Sequence, residues 1–371
     1  MSAISGRYLD QFDEQPGYLD FARVGPPSRA VRDTTAALLA QVATAGVGTV
    51  DEMMRHEMRA RAVISRLTKS DPDHVVLVPN TSTGLFQAAF NAPVGAEVLI
   101  SAADFPANTY PWARAEQAGR ITLRRMAGGP VTTDRVAAAL TPTTAIVSVS
   151  AVDFRTGYRA DLAGLRDVVG DRLLVVDGIQ GFGVTEEPWE VADVLVVGGQ
   201  KWLRAGWGTG FAVLSDRALE RLEFVLSGWT GAVDAAVFDD EIHPADPTAT
   251  GWSISHLSSV TSGAFTSALD LVEQTGVAAI AARIAERIGE FEAVLASFGS
   301  DVVSERHRRA GILAFTVPGH SAAAVGAALT SEGIAATVRA EHVRLSPHAS
   351  TSPRAGEMLH SALESLQRSP N

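Results

Sequence analysis

Two lysines, Lys69 and Lys201, stand among 31 basic residues, so arginine supplies nearly every positive charge in this chain. Arginine stays protonated at any working pH, whereas lysine can lose its proton and attack an aldehyde as a free amine. A lysine retained in such a chain is a candidate for amine chemistry, and Lys201 has the better surroundings for it. It follows the apolar run Asp193-Val-Leu-Val-Val-Gly-Gly-Gln200 and precedes the Gly-rich stretch Trp202-Leu-Arg-Ala-Gly-Trp-Gly-Thr-Gly210. Such a lysine ends a buried strand beside a flexible turn. A second chemical residue lies 24 positions earlier, where the strand Leu173-Leu-Val-Val-Asp-Gly-Ile-Gln180 ends in the carboxylate of Asp177. Alone, Asp177 reads equally as a turn or cap residue. Together, an aspartate at the carboxyl end of one strand and a lysine after the next suit an aldehyde cofactor. Open α/β sheets bind ligands at that end. Pyridoxal 5'-phosphate (PLP) needs a lysine for its Schiff base and an acid for its pyridinium nitrogen.

These residues make the chain resemble the class V aminotransferase superfamily of fold-type I PLP-dependent enzymes. The resemblance rests on Val176-Asp-Gly-Ile-Gln180 and on Gly198-Gly-Gln-Lys-Trp-Leu203 with Gly208-Thr-Gly210. It runs from Tyr18-Leu-Asp-Phe-Ala22 to Arg344-Leu-Ser-Pro-His348. It implies that Lys201 forms the Schiff base, that Asp177 keeps the pyridine nitrogen protonated, and that Gln180 contacts the ring's phenolic oxygen. Ser82 and Thr83, in Pro79-Asn-Thr-Ser-Thr-Gly84, would hold the phosphate, where helix-start N–H groups favour anions. Plain N-capping is the other use of those hydroxyls. Gln200 would also reach the phosphate. Phe105 stands where many members stack a histidine on the ring, and an aromatic face can stack there too. Arg344 would take the substrate carboxylate as a planar fork, with Arg339 a nearby competitor. His348, Trp229 and Trp252 are further pocket candidates, though a place in the core is the commoner use of such residues. Asp153 and Arg155 could line the cofactor site. No metal is expected.

Four stretches resemble the kynureninase branch: Phe105-Pro106 with a polar residue two further on, Val152-Asp-Phe-Arg-Thr-Gly157, Lys201-Trp-Leu-Arg-Ala-Gly206 and Leu226-Ser-Gly-Trp-Thr-Gly231. Two features depart from it. Gln200 replaces a tyrosine, and Ser255-His-Leu-Ser-Ser-Val260 lacks a proline pair. The expected function is a PLP-dependent aminotransferase or lyase acting on a small amino acid with a free carboxylate. Kynureninase-like C–C hydrolysis, amino-acid epimerisation and a non-catalytic PLP-fold binding protein are the alternatives. A cysteine desulfurase is not expected, because no cysteine is present to receive sulfur. The resemblance also implies a homodimer, with residues near Gly251–Ser259 reaching the partner's phosphate.

The elements that must position these groups follow from periodicity. Continuous apolar runs at 75–78, 97–101, 121–126, 144–152, 172–177, 193–199 and 209–214 predict strands covered on both faces. Helical segments are expected between them at 83–91, 108–118, 133–140 and 161–169. This alternation predicts an α/β fold with a mostly parallel sheet. Residues 262–297 read as one helix or two joined near Gly276. An apolar run at 311–317, a helix at 322–331 and an extended segment at 338–346 follow, predicting a smaller α+β C-terminal domain. The expected division is a large PLP-binding domain at 15–250 and a small one from 1–14 plus 251–371. Hydrophobic content of 46% and charged content of 20% fit a compact chain. The net charge of −11 argues against nucleic-acid or anionic-membrane surfaces. With no apolar leader at 1–13 and no run of 18 apolar residues, a cytoplasmic protein is expected.

Overall fold

A computed structural model describes residues 4–368. The first three and last three residues, which the expected small domain includes, lie outside the described residues. All seven apolar runs of the first part of the chain form one sheet. Its strands are β1 (Val75–Leu77), β2 (Glu97–Ser101), β3 (Thr122–Met126), β4 (Thr144–Ser150), β5 (Leu173–Asp177), β6 (Val194–Gly198) and β7 (Gly210–Leu214). The order is β1-β7-β6-β5-β4-β2-β3. Only β7 runs against its neighbours; β2 to β6 pair in parallel. Antiparallel neighbours need no crossover helix, so β6 passes to β7 through the loop 199–209, which carries Lys201.

The unbroken apolar runs are explained by two cores. Leu173, Val175, Val194 and Val196 face one side, against Leu85 and Ala88 of the helix Thr81–Phe90 and Trp112 of the helix Tyr110–Gln117. Leu174, Val176, Leu195 and Val197 face the other, with Leu165 of the helix Leu162–Val169 and Phe265 and Leu269 of the helix Ser259–Thr275. Two helices not anticipated from the sequence, Arg29–Ala43 and Thr49–Thr68, also pack on Ser259–Thr275. Gly276, at φ +85°, separates that helix from Val277–Ser297.

A second, antiparallel sheet contains β8 (Asp301–Val302), β9 (Leu313–Thr316), β10 (Thr337–Val338) and β11 (Val343–Leu345), in the order β10-β11-β9-β8. The Arg339 N–H donates to the His342 carbonyl at 2.9 Å, so Ala340 and Glu341 form a two-residue hairpin turn. Single bridges pair Tyr18 with Ala335 and Asp20 with Ser346, bringing the N-terminal segment beside this sheet. Among the described residues, no helix is long and apolar enough to cross a membrane.

Candidate active site

The loops leaving the carboxyl ends of β2, β4, β5 and β6 meet the start of the helix Thr81–Phe90 along one edge of the large sheet. Asp177 closes β5, level with Ser150 on β4 and Val196 on β6. It is buried, and its Oδ1 accepts a hydrogen bond from Ile179 N–H at 3.0 Å, the only one made to this side chain among the described residues. Burial pushes the Asp177 pKa up to about 7; the Ile179 N–H opposes this, the Asp104 charge adds to it and Lys201 opposes it. Lys201 is half-buried, and its Nζ makes no hydrogen bond or ion pair among the described residues. Desolvation pushes its pKa down to about 8; the Asp177 charge opposes this, Arg344 adds to it and Asp20 opposes it. The amine lies 5.3 Å from the centre of the Phe105 ring.

The loop carrying Lys201 is held from several sides. The Trp202 indole N–H donates to Gln180 Oε1 at 2.8 Å, and Gln180 Nε2 donates to the Ala22 carbonyl at 3.0 Å. Gln180, expected at the ring's phenolic oxygen, thus faces inward with those two bonds and one N–H left over. Arg204 takes a left-handed backbone, φ +58°, and is 2% exposed. Its guanidinium bonds to both carboxylate oxygens of Glu14, at 3.2 and 2.5 Å, to Pro26 O at 2.6 Å and to Ser350 Oγ at 2.6 Å. The guanidinium carbon lies 3.7 Å from the centre of the Phe12 ring. Gly25 donates to Gln200 O at 2.9 Å, and a Cβ at Gly25 would overlap the Lys201 carbonyl oxygen. Only glycine fits there.

At the helix start, Asn80 Oδ1 accepts from Thr83 N–H at 2.9 Å and from Thr83 Oγ1 at 3.2 Å. Thr83 is therefore committed to the cap. The N–H groups of Thr81 and Ser82 have no partner among the described residues, as expected for first-turn donors. Thr81 Oγ1 is buried and likewise unbonded. A Cβ at Gly198 would lie 2.7 Å from Thr81 Oγ1 and 2.6 Å from Gln200 Oε1, so the bare glycine lets these two side chains converge. Beside Ser82 and Thr83, expected from the sequence, the helix start therefore presents Thr81 as well. The signal available was Asn80: a good N-cap makes the next residue the first of the helix.

Phe105 is placed by Asp104, also missed from the sequence. The Asp104 carboxylate accepts from Phe105 N–H at 2.8 Å, Asn108 Nδ2 at 2.9 Å, Ser150 N–H at 3.0 Å and Ser150 Oγ at 2.6 Å. The Phe105 ring meets the Phe154 ring edge-on at 5.1 Å. Beyond it, Arg344 is buried and donates to Phe154 O at 2.5 Å, Thr337 Oγ1 at 2.9 Å and Asp20 Oδ1 at 3.2 Å. Asp153 and Arg155 pair with each other at 2.6 Å. His348 is not at this rim. It is buried between the Phe21 and Trp202 rings, at 5.1 and 6.3 Å, and that burial, with the Arg204 charge, holds its pKa well below the usual imidazole value. Trp252 is likewise a core residue. Trp229 lines a separate groove of about 580 Å³ with Phe238 and Ile242. That groove contains none of the groups gathered around Lys201, so its volume does not mark the chemical site.

The partnerless groups form a chemical set. Two free N–H groups and a buried hydroxyl sit at a helix start, which favours an anion such as phosphate. A buried carboxylate has an unbonded oxygen, and a desolvated amine lies beside an aromatic face. This set fits a phosphorylated pyridine aldehyde. The sequence profile of the aminotransferase class-V family matches residues 27–351.

The chain belongs to the class V aminotransferase family.

Its cofactor is PLP. Among curated proteins, an uncharacterised aminotransferase of Bacillus subtilis is 25% identical over 213 residues, 56% of each chain. A kynureninase of Deinococcus radiodurans is 28% identical over 238 residues, 58% of this chain and 56% of that protein. The chain thus matches little more than half the length of these relatives. Among solved structures, a cysteine desulfurase of Thermococcus onnurineus NA1 superposes with a TM-score of 0.83 at 18% identity, covering 94% of each chain. The cysteine desulfurase CsdA of Escherichia coli gives 0.83 at 18% identity, covering 97% of this chain and 98% of that one. At such identities these structures establish a shared fold.

Proposed function

We propose that this protein is a PLP-dependent aminotransferase or lyase acting at the α-carbon of a small amino acid with a free carboxylate. The observation that carries the reading is the Lys201 amine: desolvated, without a protein partner, beside Phe105 and within the field of Asp177. Bound PLP supplies an aldehyde that condenses with amines and a ring that withdraws electrons. The Asp177 carboxylate would hold positive charge at the ring nitrogen, and Phe105 would offer an aromatic face to the ring. Thr81, Ser82 and Gln200 would hold the phosphate. Lys201 Nζ, with its lowered proton affinity, takes a proton from the substrate carbon and returns one. Arg344 directs the carboxylate.

The lack of cysteine removes the thiol that a desulfurase needs as sulfur acceptor. A kynureninase-like C–C hydrolysis is the second reading, favoured by the Deinococcus relative and by the Phe105 loop. A homodimer is part of the proposal, since exposed apolar residues such as Trp229, Phe238 and Ile242 cluster on one surface. Addition of PLP to the purified protein should give visible absorbance, and borohydride should fix the cofactor on the Lys201 peptide. Lys201→Ala should lose both signals. A protein that stays colourless, or a label that maps elsewhere, refutes the site. Incubation with an amino-acid panel then separates the reactions: keto acid dependent on an acceptor means transfer, ammonia release means a lyase, and alanine formed from kynurenine means hydrolysis.

A further inference from the structure

The hairpin of β10 and β11 carries three buried nitrogen atoms with no hydrogen-bond partner: Arg339 Nε, His342 Nε2 and Arg344 Nε. Buried polar atoms are nearly always paired, so three on one hairpin mark a surface shaped for an acceptor. The charges point the same way. Arg344 is matched by Asp20 at 3.2 Å and Arg155 by Asp153 at 2.6 Å. Arg339 has no acidic partner, and its guanidinium makes no hydrogen bond, among the described residues. Of these three arginines, Arg339 alone has no carboxylate in contact, which leaves its guanidinium open to a ligand's carboxylate.

Arg339 is also aimed at the chemistry. Its guanidinium carbon lies 5.2 Å from the centre of the Phe154 ring, whose main-chain carbonyl accepts from Arg344. Phe154 meets Phe105 at 5.1 Å, and Phe105 lies 5.3 Å from Lys201 Nζ. Arg339 and Arg344 thus converge on one phenylalanine, a single aromatic contact away from the residue that faces the amine. We propose that Arg339 is the second arm of the substrate's carboxylate clamp. Arg344, already neutralised and held on three sides, fixes the direction of the carboxylate. Arg339 supplies the uncompensated charge and stacks over Phe154. The proposal rests on the PLP-enzyme reading and assigns that enzyme a specificity residue.

Titrating the PLP-loaded protein calorimetrically with propionate and with propionamide, its uncharged counterpart, tests this. Propionate should bind and propionamide should not. Arg339→Gln should keep its colour yet bind propionate about tenfold more weakly or worse, as expected when one arm of a charged contact is removed. Arg339→Lys should fall between, since it restores charge without the fork. With an amino-acid substrate, the loss should fall on KM far more than on kcat. A coloured Arg339→Gln variant that binds propionate as tightly as the parent overturns the clamp alone. Equal affinity of the parent for propionate and propionamide does the same. A parent protein that takes up no PLP overturns the functional reading, and this proposal with it.

Discussion

The chain's two lysines occupy opposite surroundings. Lys69 follows the helix Thr49–Thr68 in a left-handed backbone, with 73% of its side chain exposed and its amine 3.0 Å from Glu190. Lys201 has no such partner, is half-buried and lies near an aromatic face, within the field of the buried Asp177. Both are equally scarce in an arginine-rich sequence. Scarcity alone therefore does not mark chemistry; desolvation without a compensating contact does, because it disfavours the charged form. At Lys69 arginine could serve as well. At Lys201 it could not, since the guanidinium keeps its proton.

The contrast can be attacked first through the frame that keeps Lys201 dry. Arg204→Ala leaves Glu14 as a buried, unpaired carboxylate and should cost about 3–5 kcal/mol in denaturant unfolding. It should also loosen the Lys201 loop, so that the amine titrates closer to the ordinary lysine value. Arg204→Ala combined with Glu14→Ala should lose less than the sum of the single changes; additivity would mean the two groups do not act as a pair. Asp177→Asn should reduce activity on the order of 10²-fold, as for loss of one preorganised electrostatic contact. The same change has a defined sign for the amine. The Asp177 charge favours the protonated form of Lys201, so its removal should move the pH midpoint for cofactor uptake by the apoprotein below the parent's. A midpoint that rises contradicts that coupling. The smallest effect is expected at the other lysine. Lys69→Arg should alter stability by less than about 0.5 kcal/mol, as for an exposed ion pair, and leave turnover unchanged. A large loss of turnover would show that rarity itself carries meaning here.

Much of this contrast is visible before folding. The seven strands are legible because both faces of the large sheet are covered, which turns each strand into an unbroken apolar word such as Leu173–Val176. Asp177 and Lys201 follow directly from those words. What is hidden depends on distant partners or on packing. The helix Thr49–Thr68 is rich in charge and reveals itself only as a lid on Ser259–Thr275. Thr81, Ser82 and Thr83 are three adjacent hydroxyl residues, and the cap by Asn80 is what divides their roles. Arg339 and Arg344 look alike in sequence. Asp20, 324 residues away from Arg344, is what sets them apart. His348 carries the polarity of a site residue, yet the Phe21 and Trp202 rings that enclose it come from segments far apart in the chain.

The frame around Lys201 also sets an order of events during folding. Arg204 reaches Glu14 across 190 residues of chain and Ser350 across 146. Contacts of such high sequence separation carry a large closure entropy and are slow to form. The loop 199–209 can leave β6 as soon as β7 pairs, yet Arg204 is fixed only when both distant segments dock. The appearance of cofactor colour during refolding therefore times the arrival of the chain's remote ends, while the parallel core of β2 to β6, paired between strands close in sequence, forms ahead of it.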